Sequence, residues 1–304
     1  MPSTEFDLIY RHFASLGAGP AVDLSVGDDC AILKLEPGER LVTSVDTMVE
    51  GVHFLPDMFP EIIGFRAVST AASDLAAMGA RPIGMTIALT LPQADDFWVH
   101  SFSEGVAETV SLYGLPLVGG DTTRGPLTIS VNVLGALPAG EALLRDGAQV
   151  GDGVYVSGQL GDAAAGLAIL QDEWRPEPDA AAYLVERYER PRARLELGQQ
   201  LLGRATAAID ISDGLLADAG HIAAAGGVGI TLTAGAIPLS AALGGAGDRA
   251  LRWALTGGDD YELCFTLPAG ESAPEGCTRI GEVVSGQGVQ LDVDVDTDAG
   301  YQHF

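Results

Sequence analysis

The sequence predicts a mixed α+β and α/β chain of two domains, and three observations carry that prediction. Strand-like and helical stretches alternate along the whole chain. Leu137-Pro138-Ala139-Gly140 interrupts the alternation near the middle, and a new strand opens at Gly153. With 304 residues, 47% of them apolar and 19% charged, the chain is long enough for two ordinary cores and too apolar for disorder. The expected division is 1–138 and 139–304.

In the first half, β-branched and alternating apolar residues mark strands at about 41–46, 84–91 and 127–136, with helices at about 61–79 and 96–113. In the second half, strands are expected at about 153–157, 206–211, 228–232, 263–267, 278–284 and 289–295. Helices are expected at about 162–171, 181–189, 192–204 and 214–225, the last two after Pro191 and the Ser212-Asp213-Gly214 start signal. The polar, Pro-containing stretch 172–179 reads as a surface connection. Residues 222–247 carry no charge, but Gly226, Gly227, Gly229, Gly235, Pro238 and Gly244 break the run. It therefore reads as helix, glycine turn, buried strand and turn rather than as a membrane span. The alternating Asp292, Asp294, Asp296 and Asp298 read as a strand with one solvated acidic face.

Charge narrows the function classes. Sixteen Lys and Arg against 42 Asp and Glu give a net charge of −26, with no basic stripe. Such a chain repels nucleic-acid backbones and anionic membranes, so a phosphate ligand must arrive with metal ions. Lys34 is the only lysine, which excludes the Gly-Lys-Ser/Thr phosphate loop. Genome composition or salt adaptation accounts for the bulk charge, but not for where the aspartates stand. Cys30, Cys264 and Cys277 are odd in number and lack metal-ligand spacing, so neither a disulfide framework nor a structural zinc site is expected. The start, Met-Pro-Ser-Thr-Glu-Phe-Asp, has no signal-peptide character, and a reducing cytoplasmic setting is expected.

Asp recurs where strands end and turns begin: Asp46 in Ser-Val-Asp-Thr, Asp121 in Gly-Gly-Asp-Thr-Thr, and Asp210 and Asp213 in Ile-Asp-Ile-Ser-Asp-Gly. Asp74 joins them from a helix. Short carboxylates beside Gly, Ser and Thr make oxygen-rich corners, and Mg²⁺ takes oxygen ligands while sharing substrate phosphates. Taken singly, Asp74 and Asp213 read more readily as helix caps or turn formers than as metal ligands. If the set converges, cations are required, because uncompensated carboxylates are costly to bury together. Gly119-Gly120-Asp121-Thr122-Thr123, placed at a strand end, offers backbone N–H groups to a phosphate. Arg145 reads as a nucleotide contact or a surface arginine, and His53 as a ligand contact or a structural imidazole. Asp28-Asp29 is a possible acid/base pair, although adjacent carboxylates in a glycine turn usually diverge. No Ser/His/Asp or Cys/His system is assignable from spacing.

Six motifs, in order, carry a family resemblance. They are Val-Gly-Asp-Asp-Cys-Ala (26–31), Ser-Val-Asp-Thr-Met-Val-Glu-Gly-Val-His-Phe (44–54), Ser-Asp-Leu-Ala-Ala-Met-Gly-Ala (73–80), Gly-Gly-Asp-Thr-Thr-Arg-Gly (119–125), Ile-Asp-Ile-Ser-Asp-Gly-Leu (209–215) and Gly-Gly-Asp-Asp-Tyr-Glu-Leu (257–263). With the closing Gly300-Tyr301-Gln302-His303-Phe304, they resemble the thiamine-monophosphate kinase family nearly end to end. The resemblance implies ATP-dependent phosphorylation of thiamine monophosphate to thiamine diphosphate. It also implies the aminoimidazole-ribonucleotide synthetase-like fold, with an N-terminal α/β domain that dimerises through its sheet and a C-terminal α+β domain.

By position, the resemblance implies Asp29, Ser44, Asp46, Asp74, Asp121, Asp210 and Asp213 as ligands of several Mg²⁺ ions. Gly120, Asp121, Arg145 and Ser212 fall at the nucleotide, and His53, Asp259 and Tyr301 at thiamine monophosphate, where an aromatic at 301 can stack on a thiamine ring. Three positions depart from the family pattern. Asp259 stands for the usual Glu, Val45 for a frequent Thr, and Ala71 for the Asn of Asn-x-Ser-Asp. The acceptor is a phosphate monoester already largely ionised at neutral pH, so direct in-line transfer is expected without a general base or covalent nucleophile. The competing readings are another ATP-dependent enzyme of the superfamily and a silent nucleotide or cation-binding protein. The former lacks an early reactive Cys here, and the latter needs neither His53 nor Tyr301.

Overall fold

The computed structural model describes residues 5–293. It separates into two compact units: the described residues up to Leu75 with Ala80–Gly140, and Ala76–Gly79 with the described residues from Glu141 on.

The first unit runs α1 (Glu5–His12), β1 (Val22–Leu24), β2 (Ile32–Leu33), β3 (Glu39–Val49), α2 (Pro60–Ala77), β4 (Arg81–Leu91), α3 (Asp96–Tyr113), β5 (Leu117–Arg124) and β6 (Thr128–Pro138). Its four-stranded sheet has the order β3-β6-β4-β5, antiparallel except for the β4–β5 pair. Alternation gives this sheet two faces. Ile129, Val131 and Val133 are buried, whereas Ser130 and Asn132 between them are half-exposed. Phe65, Val68 and Ala72 of α2 and Phe102 and Val106 of α3 are buried with the inward set. Residues as fully buried as Phe102 and Ile129 each contribute roughly 1.5–3 kcal/mol. The helices approach closely because each presents a glycine: a Cβ on Gly105 would lie 1.9 Å from the Glu61 carbonyl oxygen, and one on Gly64 2.3 Å from that of Phe102. Asp95 starts α3 by accepting from the N–H groups of Phe97 and Trp98, and left-handed Gly114 ends it.

The second unit contains β7 (Gly153–Ser157), α4 (Asp162–Leu170), α5 (Pro178–Glu189), α6 (Leu195–Leu201), β8 (Ala207–Asp210), α7 (Leu215–Gly226), β9 (Gly229–Leu232), α8 (Asp248–Thr256), β10 (Leu263–Leu267), β11 (Cys277–Val284) and β12 (Gly288–Leu291). Six strands form one mixed sheet in the order β12-β9-β11-β7-β10-β8, with only β12–β9 parallel. Val154, Val156, Ile209, Ile230 and Ile280 from its strands join Leu215, Ala219 and Ile222 of α7 in one core. The uncharged stretch after residue 222 folds as expected, through α7, left-handed Gly227 and β9. No described helix is long and apolar enough to cross a membrane.

Four expectations need correction. Asp46, expected where a strand ends, lies inside β3, which continues to Val49. The Gly119-Gly120-Asp121 segment lies inside β5 rather than beyond a strand end, paired with Thr86, Ile87 and Ala88 of β4. The helix expected at 192–204 is confined to Leu195–Leu201. β12 stops at Leu291, and Asp292 accepts the Ala234 N–H at 2.8 Å instead of continuing a strand. Asp294, Asp296 and Asp298 lie outside the described residues. The helix α1 and the β1–β2 hairpin were not foreseen.

Candidate functional site

In the first unit, Ser44 and Asp46 stand two apart on β3 and so point to one face. Asp74 of α2 meets them there, its Oδ2 accepting the Ser44 hydroxyl at 2.5 Å. Burial, and then the charge of Asp74, push the Asp46 carboxyl up to about 6. Two like charges and a hydroxyl held together form an all-oxygen donor set, which suits Mg²⁺ rather than a soft metal.

A cavity of about 470 Å³ opens in the same unit. Tyr10 and Phe13 line one side, Asp28 and Asp29 another, and Gly120 and Asp121 of β5 a third. The Asp28 carboxylate turns back to accept the Asp29 N–H at 2.8 Å, which separates the roles of the two neighbours. β5 approaches β4 so closely that a Cβ on Gly120 would sit 2.0 Å from the Ile87 carbonyl oxygen. The glycine is thus required by packing, and the next residue, Asp121, remains exposed at the cavity. His53 follows β3 in a turn, where its Nδ1 accepts the Val49 N–H at 2.9 Å. That bond leaves the ring proton on Nε2.

In the second unit, buried Asp210 ends β8, and Ile211-Ser212-Asp213-Gly214 turns into α7. Asp218, one turn into α7, reaches back so that its Oδ2 accepts the N–H groups of Ser212, Asp213 and Gly214, each at 3.1 Å. Burial, and then the charge of Asp210, push Asp218 up to about 7. Ligand atoms of Asp213, Asp218 and His221 lie within 4.8 Å of one another. Asp259 sits in the loop before β10, its N–H donated to the Ser212 carbonyl at 3.0 Å. Arg145 is exposed on the segment before β7.

The sequence-derived site residues therefore fall into three groups: Ser44, Asp46 and Asp74; Asp29, Gly120 and Asp121 at the cavity; and Asp210, Ser212, Asp213 and Asp259 in the second unit. His53 and Arg145 are placed by their own segments, and Tyr301 lies outside the described residues. Sequence reasoning missed Asp218 and His221. Their signal was present as acid and imidazole at i and i+3 on the helix opened by the Ser-Asp-Gly turn.

Residues 27–137 match the model of the AIR synthase related protein N-terminal domain, and 149–294 that of the C-terminal domain. Fold and carboxylate corners together thus define an AIR synthase related protein. Thiamine-monophosphate kinase of Salmonella typhimurium is 47% identical over 272 residues, covering 88% of this chain and 84% of the relative. The crystal structure of thiamine-monophosphate kinase from Stenotrophomonas maltophilia superimposes with a TM-score of 0.85 at 42% identity, covering 90% of this chain and 92% of that one. AaThiL complexed with AMPPCP and TMP superimposes at 0.83 with 36% identity, covering 92% of both chains. The chain belongs to the thiamine-monophosphate kinase family.

Proposed function

We propose that this chain phosphorylates thiamine monophosphate to thiamine diphosphate with ATP as donor, in a reaction that needs several Mg²⁺ ions. The observation that carries the metal requirement is the Ser44, Asp46 and Asp74 corner, where carboxylates are held close with no cationic side chain among them. Asp29 and Asp121 supply further carboxylates at the cavity, and Asp210 and Asp213 do so in the second unit. Gly120, Asp121, Arg145 and Ser212 hold the nucleotide, and His53, Asp259 and Tyr301 hold the acceptor. When bound, Mg²⁺ neutralises the phosphates and orients them for in-line displacement.

The remaining chemistry belongs to the chain. A phosphate monoester has a second pKa of about 6, so the acceptor oxygen needs no general base at neutral pH. Catalysis then reduces to bringing two anions together and stabilising the charge that develops. Arg145 is a permanent cation for that task, whereas the N–H groups of Ser212, Asp213 and Gly214 are spent on Asp218 Oδ2 and that of Ile211 on the Glu262 carbonyl. The division of labour follows 1–138 as metal, ATP and dimerisation domain and 139–304 as C-terminal domain, in the cytoplasm. Leu41 and Val45 on the outward face of β3 are 52% and 61% exposed, which supports a homodimer formed through that sheet.

The test is to supply Mg-ATP with thiamine monophosphate, with unphosphorylated thiamine in parallel, and to separate the products by chromatography. Thiamine diphosphate from the monophosphate alone is expected. Tight Mg-ATP binding without product from either acceptor would overturn the acceptor assignment. Light scattering tests the dimer, and a monomer at micromolar concentration removes it.

A further inference from the structure

The loop 258–262 holds two bulky residues in left-handed backbone conformations, Asp259 at φ 68° and Tyr261 at φ 51°. Such conformations persist in non-glycine residues only where the surroundings over-determine them. Two buried carboxylates do so here. Asp260 accepts the Gly161 N–H at 2.8 Å, in the turn that opens α4. Glu262 accepts the Ser157 hydroxyl at 2.5 Å, Arg187 Nη2 at 3.1 Å and Arg194 Nε at 2.7 Å, and is also bonded by Arg194 Nη2. The backbone completes the clamp. Asp259 N–H donates to the Ser212 carbonyl at 3.0 Å and Tyr261 N–H to that of Ile211 at 2.9 Å, and a Cβ on Gly258 would meet the Ser212 oxygen at 2.3 Å.

With 260 and 262 anchored inward, 259 and 261 are left half-buried beside each other, and the Tyr261 hydroxyl donates to Asp259 Oδ1 at 3.1 Å. We propose that Tyr261 is a positioning residue for the acceptor. Its hydroxyl fixes the Asp259 carboxylate to receive the positively charged ring end of thiamine monophosphate. The inference rests on the reading that Asp259 meets the acceptor. A carboxylate oriented by a hydroxyl donor complements a cationic ring and repels a phosphate.

The experiment is a double-mutant cycle on the full-length enzyme with Tyr261→Phe, Asp259→Ala and the combination, reading KM for thiamine monophosphate, KM for ATP, kcat and the melting midpoint. Tyr261→Phe keeps the ring and the backbone clamp and removes one oxygen. Its KM for thiamine monophosphate is expected to rise on the order of fivefold, the loss of one positioning hydrogen bond. KM for ATP and the melting midpoint stay at wild-type values. In the Asp259→Ala background the same change adds nothing further. An unchanged KM in Tyr261→Phe while Asp259→Ala raises it overturns the positioning role and leaves Asp259 at the acceptor. Equal effects of Tyr261→Phe in both backgrounds also overturn it, since the hydroxyl would then act without Asp259. A silent Asp259→Ala removes Asp259 from the acceptor site and the proposal with it.

Discussion

Ser44 donates its hydroxyl to Asp74 at 2.5 Å, tying the middle of β3 to α2 at the point where Asp46 is half-buried beside the same carboxylate. Asp46 therefore carries a charge that its surroundings resist until a cation arrives. Asp46→Asn should lower turnover far more than roughly tenfold, since it removes a charged metal ligand, while Ser44→Ala should cost less. Without divalent ions the melting midpoint of Asp46→Asn should equal or exceed that of the wild type, because a repulsive buried charge is gone. Turnover near the wild-type rate at saturating Mg²⁺ would remove Asp46 from the metal set.

Protons and metal compete for this carboxylate, which sets a pH dependence. The folded value of about 6 lies above the ordinary 3.8, so the metal-free native state binds the proton more strongly than the unfolded chain. Its contribution to stability is full below about 3.8 and is lost as pH rises through about 6. Mg²⁺ requires the ionised form, so the melting shift it produces should be small at pH 5 and grow through about 6 toward 8. A shift independent of pH across that range would show that Asp46 does not titrate against the ion.

What the sequence revealed of this site follows from physical range. Asp46 was legible as a short carboxylate beside Ser and Thr, although it was expected at a strand end and lies inside β3, and Ser44 came only with the motif resemblance. Their meeting with Asp74 is non-local, and only the ordered motifs implied it. β5 was misplaced because glycine is a poor strand former, and nothing near Gly120 announces that the Ile87 carbonyl leaves no room for a Cβ. Asp218 was missed for the opposite reason. Ser212-Asp213-Gly214 looks sufficient as a helix start, yet Asp218 accepts the three N–H groups. The two-unit α+β architecture was legible from its periodicities, whereas α1 and the short β1–β2 hairpin fall below the length at which a period can be read.

Asp260, in the second unit, gives a second pH effect. Burial pushes its carboxyl well above the ordinary range, against the lowering effects of the Gly161 N–H and Arg187. The folded state thus holds its proton, and stability from this group falls as pH rises above the unfolded value. Asp260→Asn preserves an acceptor for Gly161 and cannot ionise, so its stability should vary less between pH 4 and 8 than that of the wild type. Urea unfolding at several pH values decides this. Loss of stability in Asp260→Asn that is larger at pH 8 than at pH 5 would mean the carboxylate is ionised in the fold.

Two ion pairs of the second unit differ enough to be separated by magnitude. Glu262 is fully buried between Arg187 and Arg194, whereas Arg204 and Glu271 pair at 2.8 Å with side chains 37% and 43% exposed. Removing one partner of a buried pair strands the others in a poor solvent for charge, at a cost of about 3–5 kcal/mol. Exposed pairs are worth about 0.2–1 kcal/mol because water and salt screen them. Glu262→Ala should therefore lower the urea midpoint strongly, and Glu271→Ala should barely move it. The Ser157 hydroxyl, which donates to Glu262 and accepts the Leu263 N–H, would lose its acceptor as well, which adds to the asymmetry. Glu262→Gln, which keeps the shape and one acceptor oxygen but leaves both guanidinium charges unbalanced, should recover only part of the loss. Equal midpoints for the alanine and glutamine variants would assign the whole effect to charge rather than to hydrogen bonding.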